Sequence, residues 1–312
     1  MPEPVIFNYV TPYAGLTPAV DLRERTLLFT HVPKTAGTTL DYILRAVALT
    51  ERIPFLRAMG SIYGQFHGAG KGDPVQDFAR WPDKALAQRA YVSGHLPYGV
   101  HQRLSRPYCY ITILRDPLPR LLSQYRFGIE RGGWNETASI AQVTERGLMA
   151  DNIQTRQLAG ATDRATPVTA QTLNTAVAHL RAEYSVVGTS ERFADALKLL
   201  ITLLGWPDIA YGNRQVTAGA PKPELMQQAQ EAVQRFFAYD LELYAVAKEL
   251  AQQNAAAILR GNPQPPQRQG RVIVCIPGTP VDGKENALMS AETFDRQFRP
   301  ALRAHSGDIR IV

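Results

Sequence analysis

Short β-rich apolar runs alternate along this chain with longer helical patterns, and strands joined through helical crossovers build a mainly parallel sheet. The strand candidates are Thr26 to His31, Arg89 to Ser93, Tyr108 to Leu114 and Tyr184 to Gly188. The clearest helix runs from Ser190 to Leu204, where Phe193, Leu197, Leu200, Ile201 and Leu204 recur at helical spacing; Ser190 can cap its start, and Gly205 and Pro207 end it. A second helical stretch, Pro223 to Gln252, is expected to break near Asp240, which can cap the final helix. The expected architecture is three-layer α/β, a central, mainly parallel sheet flanked by helices.

Composition narrows the class. With 45% hydrophobic and 20% charged residues in 312, the chain can bury a sizeable core, which excludes collagen, coiled-coil and mucin-like readings. After Arg260 the run NPQPPQRQG cannot continue a helix. We therefore expect an N-terminal extension over 1–25, a main domain over 26–255, a linker over 256–270 and a C-terminal extension over 271–312 packed on the main domain, with Arg271 to Ile276 as a strand. Cys109 and Cys275 sit in apolar runs, too few for a disulfide framework or a thiolate metal site, so a reducing, cytoplasmic setting is expected. No signal peptide or transmembrane segment is apparent.

Basic residues exceed acidic ones, 34 to 28, a surplus that points to an anionic ligand. It is concentrated: His101 to Arg131 carries six arginines against Asp116 and Glu130. We expect most of the surplus to surround that ligand, with no need for nucleic acid as a partner.

Three segments carry chemistry. Thr26 to Val47 runs from an apolar strand into Pro33-Lys34-Thr35-Ala36-Gly37-Thr38-Thr39 and then a helix, a geometry that aims backbone N–H groups and the positive helix end at an anion. Lys34 adds a point charge, the threonines add donors, and Gly37 permits close approach. Lys precedes Gly here, so this is not the Walker A order. In Pro107 to Phe127, Arg115 stands at the carboxyl end of a buried strand, with Asp116 as helix cap and Pro117 as first helical residue. In Val92 to Gly99, a strand ends in Gly94-His95; because α/β crevices open at carboxyl ends, His95 would face the space that Lys34 faces. The other histidines, His31 among them, read as structural, with His101 a reserve candidate on the same loop.

The Lys34 segment resembles the 5′-phosphosulfate loop of sulfotransferases, in particular the branch containing carbohydrate 2-O-sulfotransferases and their bacterial relatives, and the likeness extends from about Thr26 to Leu250. The resemblance implies a P-loop-like fold and a soluble enzyme that moves a sulfuryl group from 3′-phosphoadenosine 5′-phosphosulfate to an acceptor hydroxyl, releasing adenosine 3′,5′-bisphosphate without a metal. It implies that Lys34, Thr35, Ala36, Gly37, Thr38 and Thr39 hold the 5′ end, that Arg115 and Ser123, eight positions apart, hold the 3′-phosphate, and that His95 is the base, with Lys34 catalytic beside it. The 2-O-sulfotransferases carry a second His two positions earlier, where this chain has Ser93. Asn152, Gln154 and Arg156 match a pattern common near the acceptor, and Tyr98, Arg126 and Trp134 are further candidates to meet a carbohydrate, which is the expected acceptor, ahead of a lipid or small natural product. A P-loop kinase using ATP and magnesium and a catalytically inactive nucleotide-binding module are the competing readings. Oligomeric state is left open.

Overall fold

The computed structural model describes residues 7–13, 16, 18–58, 74–161, 163, 165–212, 221–260, 271–275 and 308–311. Its first half comprises β1 (Phe7–Val10), β2 (Thr26–Thr30), α1 (Gly37–Thr50), β3 (Phe55–Ala58), α2 (Pro74–Ala79), α3 (Asp83–Leu86), β4 (Tyr91–Gly94), β5 (Tyr108–Leu114), α4 (Pro117–Glu130) and α5 (Ile140–Glu145). The remainder comprises α6 (Ile153–Ala159), α7 (Ala170–Glu183), β6 (Tyr184–Thr189), α8 (Phe193–Leu204), β7 (Asp208–Gly212), α9 (Pro223–Phe236), α10 (Ala238–Arg260), β8 (Arg271–Cys275) and β9 (Asp308–Ile311).

Five strands form the central sheet in the order β3-β4-β2-β5-β6, every pair parallel. Helices cover both faces, which is why β2 and β4 are buried at every position instead of alternating apolar and polar. Along β5, Cys109, Ile111 and Ile113 join the core shared with α1 and α8, whereas Tyr110 and Leu114 join the core shared with α7 and α10. Beyond α1 and α8 lies a second sheet, β1-β7-β8-β9, antiparallel only between β1 and β7. The chain runs from β2 outward to β3 and β4, then crosses to β5 on the other side of β2. Strand order therefore reverses at β2, where such sheets open a crevice at their carboxyl ends.

The expected three-layer α/β fold is what forms, with several local corrections. Strand β5 spans the expected residues, β2 stops one residue before His31, and β4 begins at Tyr91 rather than Arg89. Ser190 does not cap α8: a 3-10 turn, Ser190–Arg192, precedes that helix, and Ser190 Oγ is buried without a hydrogen-bond partner among the described residues. The later helical stretch breaks at Phe237, and Asp240 lies in the first turn of α10, turned toward α6 instead of capping its own helix. Residues 256–260, expected in the linker, continue α10. Part of the 1–25 segment is structural, since β1 pairs with β7 and Ala19 and Val20 donate to Leu203 O. Ile276, the expected last residue of the C-terminal strand, lies outside the described residues.

Candidate functional site

Three segments leave the carboxyl ends of the adjacent strands β4, β2 and β5. After β2 the chain turns through Lys34 and Ala36, both at positive φ (68° and 64°), a conformation that non-glycine residues adopt at a cost of about 1–3 kcal/mol each. Left-handed residues in a tight turn make the backbone concave toward an anion. Ala36 is the N-cap of α1 and no side chain caps that helix, so Thr38 is not its cap, and the positive helix end opens on the turn. Thr35 is fully buried and its hydroxyl donates to Val32 O (2.9 Å), bracing the turn from within. Thr39 is buried and Thr38 half-buried. Gly37 is required sterically: a Cβ there would lie 2.2 Å from Cδ2 of His31.

Lys34 Nζ sits 4.1 Å from the centre of the Phe127 ring, and burial lowers its pKa. Phe127 lies one helical turn beyond Ser123 on α4, so the two share a face. Ser123 itself is buried. Arg115 reaches across from β5, its Nη1 donating to Lys34 O at 3.3 Å. The peptide of Arg115 is clamped by Gln154, whose Oε1 accepts from Arg115 N (3.0 Å) and whose Nε2 donates to Arg115 O (2.9 Å). Burial lowers the pKa of Arg115, and no carboxylate among the described residues forms a salt bridge with it. Asp116 caps α4 as expected, accepting from Leu118 N at 2.9 Å.

Arg120, on the same helix, is 1% exposed, and all three of its side-chain nitrogens lack a hydrogen-bond partner among the described residues. Burial pushes its pKa down to about 10, while Asp240 draws it upward at longer range. Lys34 and Arg115 at the rim and the enclosed Arg120 are thus close enough to perturb one another.

His95 follows β4 directly and is partly exposed. His101 is elsewhere: its ring stacks on Tyr108 (4.5 Å) and its Nδ1 lies 3.0 Å from Tyr110 Oη. That is the amino end of β5, roughly 20 Å along a seven-residue strand from the rim.

The residues expected on the acceptor side are mostly internal. Asn152, Gln154 and Arg156 are buried, with Arg156 held by Asp151 Oδ1 (2.7 Å) and Thr166 O (2.7 Å). Trp134 is buried against Gly128, and its Nε1 donates to Tyr125 O (3.1 Å), so it offers no open face. Arg126 is half-buried on α4. Tyr98 stacks on His179 at 3.6 Å and, with Phe78, Arg103 and Gly160, lines a cleft of about 480 Å³; no residue of the Lys34 turn lines it. The basic surplus is also divided. Arg106 donates to the carbonyls of Leu22, Arg23 and Arg25, and Arg103 to those of Phe78, Ala79 and Trp81, so these two stabilise loops away from the rim.

Phe127 and Arg120 were not evident from motif spacing. The helical spacing from Ser123 to the residue four beyond it is the signal that could have found Phe127; Arg120 was hidden among six arginines, since nothing local marks which one is buried. A family model described as the sulfotransferase family matches residues 19–245, a span that includes all three rim segments. A search of curated proteins found no significant match.

Proposed function

The chain belongs to the sulfotransferase family, and from that premise we propose that it transfers a sulfuryl group from 3′-phosphoadenosine 5′-phosphosulfate to a carbohydrate hydroxyl, with His95 as the base. The observation that carries this reading is the 3.3 Å contact between Arg115 Nη1 and Lys34 O, which makes the turn after β2 and the arginine after β5 two sides of one cradle. The residues fit a nucleotide with anionic groups at both ends: an uncapped helix start, a concave turn, and cations without carboxylate partners among the described residues.

The turn from Lys34 to Thr39 would hold the 5′ end, with Thr35 acting through its backbone because its hydroxyl is occupied. Arg115 and Ser123 would hold the 3′-phosphate. When bound, the donor supplies the sulfuryl group and leaves as adenosine 3′,5′-bisphosphate. Sulfuryl transfer, like phosphoryl transfer, needs positioning and charge stabilisation more than covalent help. Lys34 offsets negative charge developing on the leaving phosphate, and His95 takes the proton of the attacking hydroxyl. Two buried, unpaired thiols suit a reducing, cytoplasmic setting. A magnesium-dependent kinase reading is disfavoured because Asp116 is already engaged as a helix cap.

Thermal unfolding tests the donor. A ligand at 100 times its Kd stabilises by about 2.7 kcal/mol. Stabilisation by adenosine 3′,5′-bisphosphate without magnesium is expected; stabilisation only by ATP with magnesium would turn the reading to a kinase. Labelled donor offered with a panel of sugars, lipids and phenols then identifies the acceptor, and binding without transfer to any would leave an inactive nucleotide-binding module.

A further inference from the structure

The ladder between β2 and β4 delivers a second imidazole to His95. Its register pairs Phe29 with Ser93 and Thr30 with Gly94, and a further bond, His31 N to Gly94 O at 2.9 Å, carries the pairing past the strand ends. His31 and His95 therefore leave their strands side by side, ring centroids 4.8 Å apart and planes at 70°. His31 is 2% exposed. Its ring stacks on Phe29 at 5.3 Å and presses on Gly37, the first residue of α1. Gln157, also buried, donates through Nε2 to both His31 O (3.1 Å) and Leu96 O (3.0 Å), stapling the chain after β2 to the chain after β4.

His31 Nδ1 is buried without a hydrogen-bond partner among the described residues. An orphaned polar atom costs about 1–3 kcal/mol, and a phenylalanine could stack on Phe29 without that cost. Stability alone therefore does not account for an imidazole in this slot.

We propose that His31 is a positioning residue for proton transfer: wedged between Phe29, Gly37 and His95, it fixes the plane of the His95 imidazole near the start of α1 and sets the surroundings in which that ring gains and loses its proton. This rests on His95 being the base. The charged or titratable groups facing His31 are His95 after β4, Asp41 on α1, Arg57 on β3 and Lys34 in the turn. Burial first, then the like charge of His95, pushes His31 down to about 3, so His31 stays neutral near pH 7. Asp41, the one anion in that set, is engaged by Arg45 (3.1 Å), Arg57 (2.9 Å), Tyr91 and Ser93.

The test is the pH profile of kcat/KM for His31→Phe, which keeps a flat ring and removes both nitrogens. Hydrocarbon solvates an imidazolium less well than imidazole does, so the acid limb should move down by about half a pH unit or more. The same variant should lose about tenfold or more in kcat while its affinity for adenosine 3′,5′-bisphosphate, by calorimetry, stays within about twofold. An acid limb that is unmoved or moves upward overturns the proposal. If His31→Phe binds no bisphosphate, His31→Gln replaces it: a drop in kcat with binding retained supports the positioning role, and wild-type kcat overturns it. His95→Ala, measured alongside, separates the two readings. Full turnover in His95→Ala defeats the assignment of the base, whereas wild-type behaviour of the His31 variants beside a dead His95→Ala defeats only the role of His31.

Discussion

Two buried, arginine-bearing regions meet at Gln154 and are built on opposite terms. Around α6 the buried charges have protein partners: Arg156 is held by Asp151 and Thr166, and Asn152 and Asp240 serve each other's helices across the 88 positions between them. Asn152 Oδ1 accepts from Asp240 N (3.1 Å), while Asp240 accepts from Gln154 N (3.3 Å), Thr155 N (2.8 Å) and Thr155 Oγ1 (2.8 Å). At the rim, among the described residues, the Arg115 guanidinium donates to the Lys34 carbonyl and Arg120 finds nothing within hydrogen-bond reach. Residue type is the same in both places. Where the chain supplies the partners, the network fixes the frame; at Arg115, where no carboxylate among the described residues bridges the guanidinium, the cation is left to an anion from outside, whereas the enclosed Arg120 is balanced at longer range by Asp240. Gln154 joins the two, since its backbone is held by Asp240 and its side chain clamps the Arg115 peptide.

Rim variants should thus alter turnover or ligand affinity and spare stability, and frame variants the reverse. The largest effect is expected for His95→Ala, with kcat lower by about 10²–10⁴-fold and bisphosphate binding intact; near-full turnover in a steady-state assay would remove His95 from the mechanism. Next comes Asp240→Ala, which unpartners two backbone N–H groups and a hydroxyl and leaves Arg120 without its compensating charge. Urea unfolding should show a loss of about 3–5 kcal/mol, with unchanged bisphosphate affinity in the folded fraction. A variant as stable as wild type but unable to bind would move Asp240 from frame to site. Arg115→Ala should weaken bisphosphate by roughly ten- to a hundredfold, from charge-assisted bonds of about 1.5–3 kcal/mol, with a melting temperature unchanged or raised because a half-buried, unpaired cation has gone. Equal affinity in calorimetry would separate Arg115 from the ligand.

Local patterns in the sequence account for much of this. The apolar run of β5 and the Asp116-Pro117 start of α4 were readable because each is a signal of a few adjacent residues. β3 and β7 were not, being four and five residues long without alternation. Asn152 and Arg156 stood out as a motif, but a motif does not say whether its polar groups turn outward or inward; the partners of Asn152 include Phe236 and Asp240, more than 80 positions away. His31 was read as structural for the same reason, since its contact with His95 exists only once β2 and β4 pair in register.

The smallest expected effect sharpens the electrostatics of the rim. Burial lowers the pKa of Lys34 from the ordinary 10.5, and a bound anion would raise it again, so binding takes up a proton wherever the free Lys34 is neutral. Affinity for adenosine 3′,5′-bisphosphate should then be flat from neutral pH upward and begin to fall below pH 10.5, approaching at most tenfold per pH unit. The phosphates do not interfere, because their second ionisation, near pH 6, is complete before the window opens. Lys34→Arg keeps its charge throughout and should abolish the early part of the fall. Any decline that persists in that variant would belong to the arginines whose pKa burial lowers, Arg115 in the cradle and the enclosed Arg120. A wild-type affinity flat beyond pH 10.5 would mean that Lys34 makes no charged contact with the bisphosphate, leaving Arg115 as the principal cation of the cradle.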